Sequence, residues 1–279
     1  MYCNQVIIIH RHADRRETSK FPKVEANITR YENVAQSGDL LDIGRINACK
    51  FGKYLQDRYR FSETPKIYTS EVPRCIHTAQ EIIHGIGIDF ELDYTHDPLL
   101  KEFIPKNISN IVLQTLIKQG YGKYCALFEE MGELLTDTST DSSRLYHLYG
   151  IYANIQSYKT QGYDMTKYIL PETEAKLHDA LIDIYNTSQH INQLYIAKDI
   201  SDYINNLFAT NDNQLVLCST HDTVVFLIAK YFTHKNGIIK HLELPEYLSN
   251  VRIEKWSDDT YKIYYMSDMS NDFYIGSVL

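Results

Sequence analysis

The apolar pattern of the chain falls into three regimes. In the first, residues 5–9 (QVIII) run apolar without a break and stop at His10, Arg11 and His12. Such a run predicts an inner strand of a parallel sheet, covered on both faces. Residues 66–69 (KIYT) and 214–218 (QLVLC) predict further short strands. Ile43, Ile46, Phe51, Tyr54 and Leu55 predict a helix that runs on to Tyr59. Val72, Cys75, Ile76, Ala79, Ile82 and Ile83 repeat at helical spacing and predict another. Ser70 fits as its cap, and Pro73 is tolerated in a first turn. A third helix after His221 should bury Val224, Val225, Leu227, Ile228, Tyr231 and Phe232.

The second regime spans residues 97–210. Strand signals fade there, and helical segments alternate with polar turns such as residues 136–143 (TDTSTDSS). Pro171 and Glu172 open a long helical stretch through Leu177, Leu181, Ile184 and Ile191. The third regime closes the chain with two alternating runs, residues 251–256 and 261–266, separated by SDDT, a hairpin pattern. The expected architecture is α/β: a mixed, mostly parallel sheet flanked by helices, built from residues 1–96 and 211–279. Residues 97–210 should form a helical cap over the carboxyl ends of the strands.

Composition narrows the function. A chain of 279 residues is long enough for one large α/β domain carrying an insertion. The net charge of -8 speaks against nucleic-acid binding, which leans on a positive surface field. An arginine cluster in so acidic a chain is local and fits a small anionic ligand. No apolar run approaches the roughly 18 residues of a membrane span, so no membrane association is expected. The amino terminus runs directly into the first strand without a signal-like segment. The five cysteines are odd in number and scattered, with no CxxC pair, so no zinc site is expected. Cys49, Cys75 and Cys218 fall within apolar patterns and read as reduced core thiols. The expected location is therefore cytoplasmic, the alternative being a trimmed mature form of a secreted protein. Oligomeric state is not legible.

Three segments place polar groups at the carboxyl ends of strands, where open α/β sheets bind ligands. Arg11, His12 and Arg15 follow the first strand. Arg74 sits in the first turn of the helix after residues 66–69, and His221 and Asp222 follow residues 214–218. Guanidinium groups suit phosphate, offering paired donors on a permanent charge, and a helix amino terminus adds backbone donors. Three arginines and two histidines converging on one point read as a phosphate pocket. His10 reads as structural, and Arg16 and Lys20 as a solvated rim.

In these segments the chain resembles the histidine acid phosphatases of the histidine phosphatase superfamily. Residues 7–15 (IIIHRHADR) are similar to the family's strand and R-H-G-x-R motif, and residues 18–22 (TSKFP) to the turn that follows. Residues 38–59 resemble its first long helix, and residues 69–80 (TSEVPRCIHTAQ) match S-x-x-x-R-x-x-x-T-A. Residues 218–225 (CSTHDTVV) match S-A-H-D-T-T, and residues 244–256 (LPEYLSNVRIEKW) resemble a late strand.

The resemblance implies a phosphoglycerate mutase-like fold and a phosphatase that needs no metal and no cofactor. It implies His12 as the nucleophile, forming a phosphohistidine. Arg11, Arg15, Arg74 and His221 would hold the phosphate, and Asp222 would protonate the leaving alcohol. The substrate would be a small-molecule phosphomonoester or a phosphoprotein. The family's glycine is Ala13 here, strained by about 1–2 kcal/mol if that position needs φ > 0. A phytase-like phosphatase of inositol phosphates or pyrophosphates is the nearest alternative. It is weakened because residues 97–210 carry acids as freely as bases. The His-Asp pair argues against a mutase. A catalytically silent phosphate-binding module would have lost His12 or Asp222, and both are present.

Overall fold

The computed structural model describes residues 2–18, 21–25, 38–87, 94–131, 144–211, 213–238, 240–270 and 272–277. Its centre is one seven-stranded sheet. The strands are β1 (Cys3–Arg11), β2 (Lys66–Thr69), β3 (Tyr94–His96), β4 (Leu215–Thr220), β5 (Asn250–Trp256), β6 (Tyr261–Met266) and β7 (Asp272–Gly276). Their order is β3-β2-β4-β1-β5-β6-β7. The four from β3 to β1 pair in parallel, whereas β5, β6 and β7 add antiparallel. The sheet is thus mixed, with the parallel half carrying the strand ends of interest. β1 is an inner strand as expected, though its second neighbour, β5, runs against it. β3 and β7 escape the sequence pattern because edge strands this short leave little alternation to read.

Helices cover both faces: α1 (Pro22–Glu25), α2 (Asp42–Tyr59), α3 (Pro73–Ile86), α4 (Lys106–Lys118), α5 (Ala126–Glu130), α6 (Arg144–Thr160), α7 (Pro171–Ala209) and α8 (Asp222–Lys235). The period of two along β1 sorts its side chains between two cores. Val6 and Ile8 face α2 and α3, with Phe51, Leu55, Ile82 and Ile83. Ile7 and Ile9 face the other way, into a core shared with Leu177, Leu181, Ile200 and Ile204 of α7 and Val225 of α8. The long helix α7 bends at Ile196, whose φ of -124° and ψ of 20° are not helical. The turn expected at residues 136–143 lies outside the described residues.

Two helices differ from their sequence reading. In α2 three of the five expected stripe residues are exposed, Ile43 at 40%, Ile46 at 50% and Tyr54 at 37%, and the buried face is Gly44, Ala48, Phe51, Gly52 and Leu55. The reason is backbone proximity. A Cβ on Gly52 would stand 1.9 Å from the Ile82 carbonyl, and one on Gly85 1.9 Å from the Cys49 carbonyl. A period count scores apolar side chains and cannot see glycines chosen for close approach. In α3 the helix opens at Pro73 with Val72 as its amino-terminal cap, and no side chain caps it. The Ser70 hydroxyl faces His221 instead.

Candidate active site

In the sheet order, β4 lies between β2 and β1, so three carboxyl ends open side by side. β1 ends at Arg11 and hands directly to His12. β4 ends at Thr220, with His221 capping α8 and Asp222 as its first residue. β2 ends at Thr69, one turn ahead of Arg74 in α3. The topology therefore delivers all six sequence-selected residues to one place. The rings of His12 and His221 meet edge to face with centroids 5.7 Å apart. Arg74 Nη2 lies 3.4 Å from His221 Nδ1, and Arg11 Nη2 lies 3.4 Å from Asp222 Oδ2.

The loop after β1 is fixed by backbone contacts. His12 N–H donates to the Thr220 carbonyl at 3.0 Å, and Ala13 N–H to Thr78 Oγ1 at 3.0 Å. The Thr78 hydroxyl donates in turn to the Arg74 carbonyl at 2.7 Å. Gly44 seats the loop against α2, since a Cβ there would lie 2.2 Å from the Asp14 carbonyl. Ala13 is fully buried, and it is not among the residues of positive φ. The left-handed strain that alanine could have carried is therefore not present. His12 Nδ1 lies 2.9 Å from the Ala13 carbonyl. A carbonyl only accepts, so Nδ1 carries the proton and Nε2 keeps its lone pair.

Burial pushes His12 well below the usual histidine range, and Arg11, Arg74, His221 and Arg15 push it further. His221 falls to about 4 through burial and the charge of Arg74. Both imidazoles are thus neutral at any ordinary pH, although five potential cations share the site. Burial raises the Asp222 carboxyl, but Arg11, a hydrogen bond from Tyr149 and nearby His221 outweigh it, and the net direction is downward. Nε of Arg11, Arg15 and Arg74 is buried without a hydrogen-bond partner among the described residues. Buried unpaired donors cost about 1–3 kcal/mol each, so this ring favours an oxyanion. Among the described residues, no three His, Cys, Asp or Glu side chains are grouped to hold a metal ion.

Sequence reasoning missed a second tier. The Arg11 guanidinium stacks over Tyr247 at 4.4 Å and donates to the Pro245 carbonyl at 2.6 Å. Ser70 Oγ lies 3.2 Å from His221 Nε2. Tyr149 hydrogen-bonds Asp222 and lies 6.0 Å from Arg11. One tyrosine among 23 offers no signal, and only the seat of α6 over the loop reveals it. That seat is fixed by Ser157, which donates to the Arg15 carbonyl at 2.7 Å. Arg16, expected at a solvated rim, is buried and pairs with buried Glu17 at 3.3 Å, so it is held inside the fold. Lys20 lies outside the described residues. His10 is fully buried, with Nδ1 at 2.9 Å from the Arg11 carbonyl. Cys75 and Cys218 are buried free thiols, and Cys49 is a half-buried one.

Tyr149 can be tested by itself. Tyr149→Phe removes a donor to the ionised Asp222 carboxylate, so the Asp222 pKa rises. A step that needs protonated Asp222 then persists to higher pH, and the alkaline limb of kcat/KM should move upward. A limb that stays in place would show that Tyr149 does not tune Asp222.

Residues 7–128 match the model of the histidine phosphatase superfamily (branch 1). No curated protein matches the chain. Among solved structures, the phytase of Klebsiella sp ASR1 superposes with a TM-score of 0.68 at 14% identity, over 95% of this chain and 83% of that one. The phytase of Citrobacter braakii gives 0.65 at 15% identity, over 95% and 85%. A Bifidobacterium longum multiple inositol polyphosphate phosphatase, in complex with inositol hexasulfate, gives 0.61 at 11% identity, over 99% and 87%. At such identities the likeness establishes the fold alone. The family match rests on residues 7–128, which carry Arg11, His12, Arg15 and Arg74, and over that stretch the chain is similar to the histidine phosphatase superfamily.

Proposed function

We propose that the chain is a phosphomonoester hydrolase of the acid phosphatase kind, working through a phosphohistidine on His12 without a metal. One observation carries this reading. A buried, neutral histidine with a free Nε2 stands inside a ring of arginines, and a carboxyl group lies beside the same ring. Arg11, Arg15, Arg74 and His221 hold the phosphate oxygens and stabilise the charge that spreads over them during transfer. The Nε2 lone pair forms a bond to phosphorus as the ester P–O bond breaks, and the leaving oxygen takes a proton from Asp222. Water then attacks the phosphohistidine. Its proton passes to the Asp222 carboxylate, and the P–N pair returns to His12.

Asp222 is ionised in the free protein, so the donor form must arise with substrate. A bound phosphate dianion draws on Arg11 and raises the neighbouring carboxyl. Protonated Asp222 becomes scarcer as pH rises, which gives an acid-leaning profile. The low pKa of His12 keeps the nucleophile uncharged on the acid side. The phytase names of the structural neighbours favour an inositol phosphate substrate as the second reading. Hydrolysis of para-nitrophenyl phosphate in the presence of a chelator tests the first. Steady phosphate release with an acid optimum is the expected result. Stoichiometric phosphate binding without release would mark a silent binding module and remove the proposal.

A further inference from the structure

Asp222 belongs to two compartments. On one side it faces Arg11, and on the other it lines a cleft of about 400 Å³ walled by α6, α7, α8 and residues 101–109. If Asp222 protonates the leaving oxygen, as proposed above, the group attached to that oxygen must occupy this second compartment. The chemistry of its walls then describes the substrate's alcohol.

The walls are aromatic, aliphatic and amide. Tyr149 stands at the junction with the phosphate ring and stacks on Tyr185 with centroids 4.8 Å apart. Phe103 and Leu227 add apolar surface. On α7, beyond Tyr185, Gln189 and Asn192 are nine-tenths buried and bonded to each other, Asn192 Nδ2 donating to Gln189 Oε1 at 2.9 Å. That bond leaves Asn192 Oδ1 buried with no hydrogen-bond partner among the described residues. An unpaired carbonyl oxygen needs a donor, which a hydroxyl supplies and a phosphate oxygen does not. The charged members point the same way. Lys101 is ion-paired with Glu71, and Glu102 places a carboxylate on the wall that would repel a second phosphate. Flat apolar faces beside amide groups suit a ring that has both C–H faces and hydroxyls.

We infer that the preferred substrate is a singly phosphorylated, otherwise uncharged and hydroxylated alcohol, a sugar or nucleoside monophosphate, and not a polyphosphorylated inositol. The inference rests on the phosphomonoesterase reading, and the test separates the two. The unmodified protein is assayed for kcat/KM on glucose 6-phosphate, adenosine 5′-monophosphate, myo-inositol hexakisphosphate and para-nitrophenyl phosphate. At least one of the two monophosphates should exceed the hexakisphosphate by about tenfold or more, and the lower KM between those two identifies sugar or nucleoside. A hexakisphosphate value equal to or above both overturns the inference and leaves the phosphatase reading standing. No turnover of any ester removes both. In Asn192→Leu, KM for the better monophosphate should rise about tenfold, the value of one hydrogen bond to a buried acceptor. KM for para-nitrophenyl phosphate, which offers no hydroxyl there, should rise clearly less, and circular dichroism shows that the variant is folded. An equal rise for both esters would overturn the role of Asn192.

Discussion

His12→Ala should abolish turnover, by at least about 10⁴-fold, because nothing else within the ring, among the described residues, can accept a phosphoryl group. The arginines stay protonated, and His221 Nε2 is engaged at 3.2 Å by Ser70 while its Nδ1 faces Arg74. The guanidinium ring remains, so inorganic phosphate or vanadate should still bind to the variant. Denaturing the unmodified protein during turnover should trap a phosphoramidate, labile in acid and stable in base. Mass spectrometry of the quenched protein reads this directly. An acid-stable phosphoester, or full activity in His12→Ala, would sink the mechanism.

Asp222→Asn splits binding from chemistry. Asparagine fills the same space beside Arg11 and Tyr149 but cannot pass a proton, so KM should change little while kcat falls. The fall should be about 10²–10⁴-fold for alkyl phosphates, the span general-acid catalysis contributes. It should be far smaller for para-nitrophenyl phosphate, whose leaving oxygen barely needs a proton. The alkaline limb of the pH profile should flatten with it. An equal loss for both esters would assign Asp222 to binding, not to proton transfer.

The parts of this fold that can be read from sequence are those where side chains carry the information. Val6, Ile7, Ile8 and Ile9 declare an inner strand because both faces of β1 are covered. Arg11, His12, Arg74 and His221 stand out because each interrupts an apolar pattern at the end of a strand. Contacts made by backbone or through space leave no such trace. Gly44, Gly52 and Gly85 matter for the Cβ they lack, so the apolar period of α2 points Ile43 and Ile46 inward where the fold exposes them. Ser70 resembles a helix cap in sequence, and only the third dimension turns it to His221. Tyr149 and Asn192 sit on helices whose rotation about the sheet no linear pattern fixes. The cationic half of the candidate site is therefore visible in the sequence, and the aromatic and amide cleft beside it is not.

β1 has a consequence for synthesis. Val6 pairs with Leu215 on one side and with Glu254 on the other, so the most apolar strand is made long before either partner. At about 5–20 residues per second, β1 leaves the ribosome and waits roughly 10–40 s for β4. During that wait Val6, Ile7, Ile8 and Ile9 are an unpaired hydrophobic edge. Arg11 within this strand and Arg15 just after it give the waiting segment a local positive charge that slows its self-association. The cations proposed to hold a phosphate in the finished protein would thus also act as gatekeepers for the nascent one.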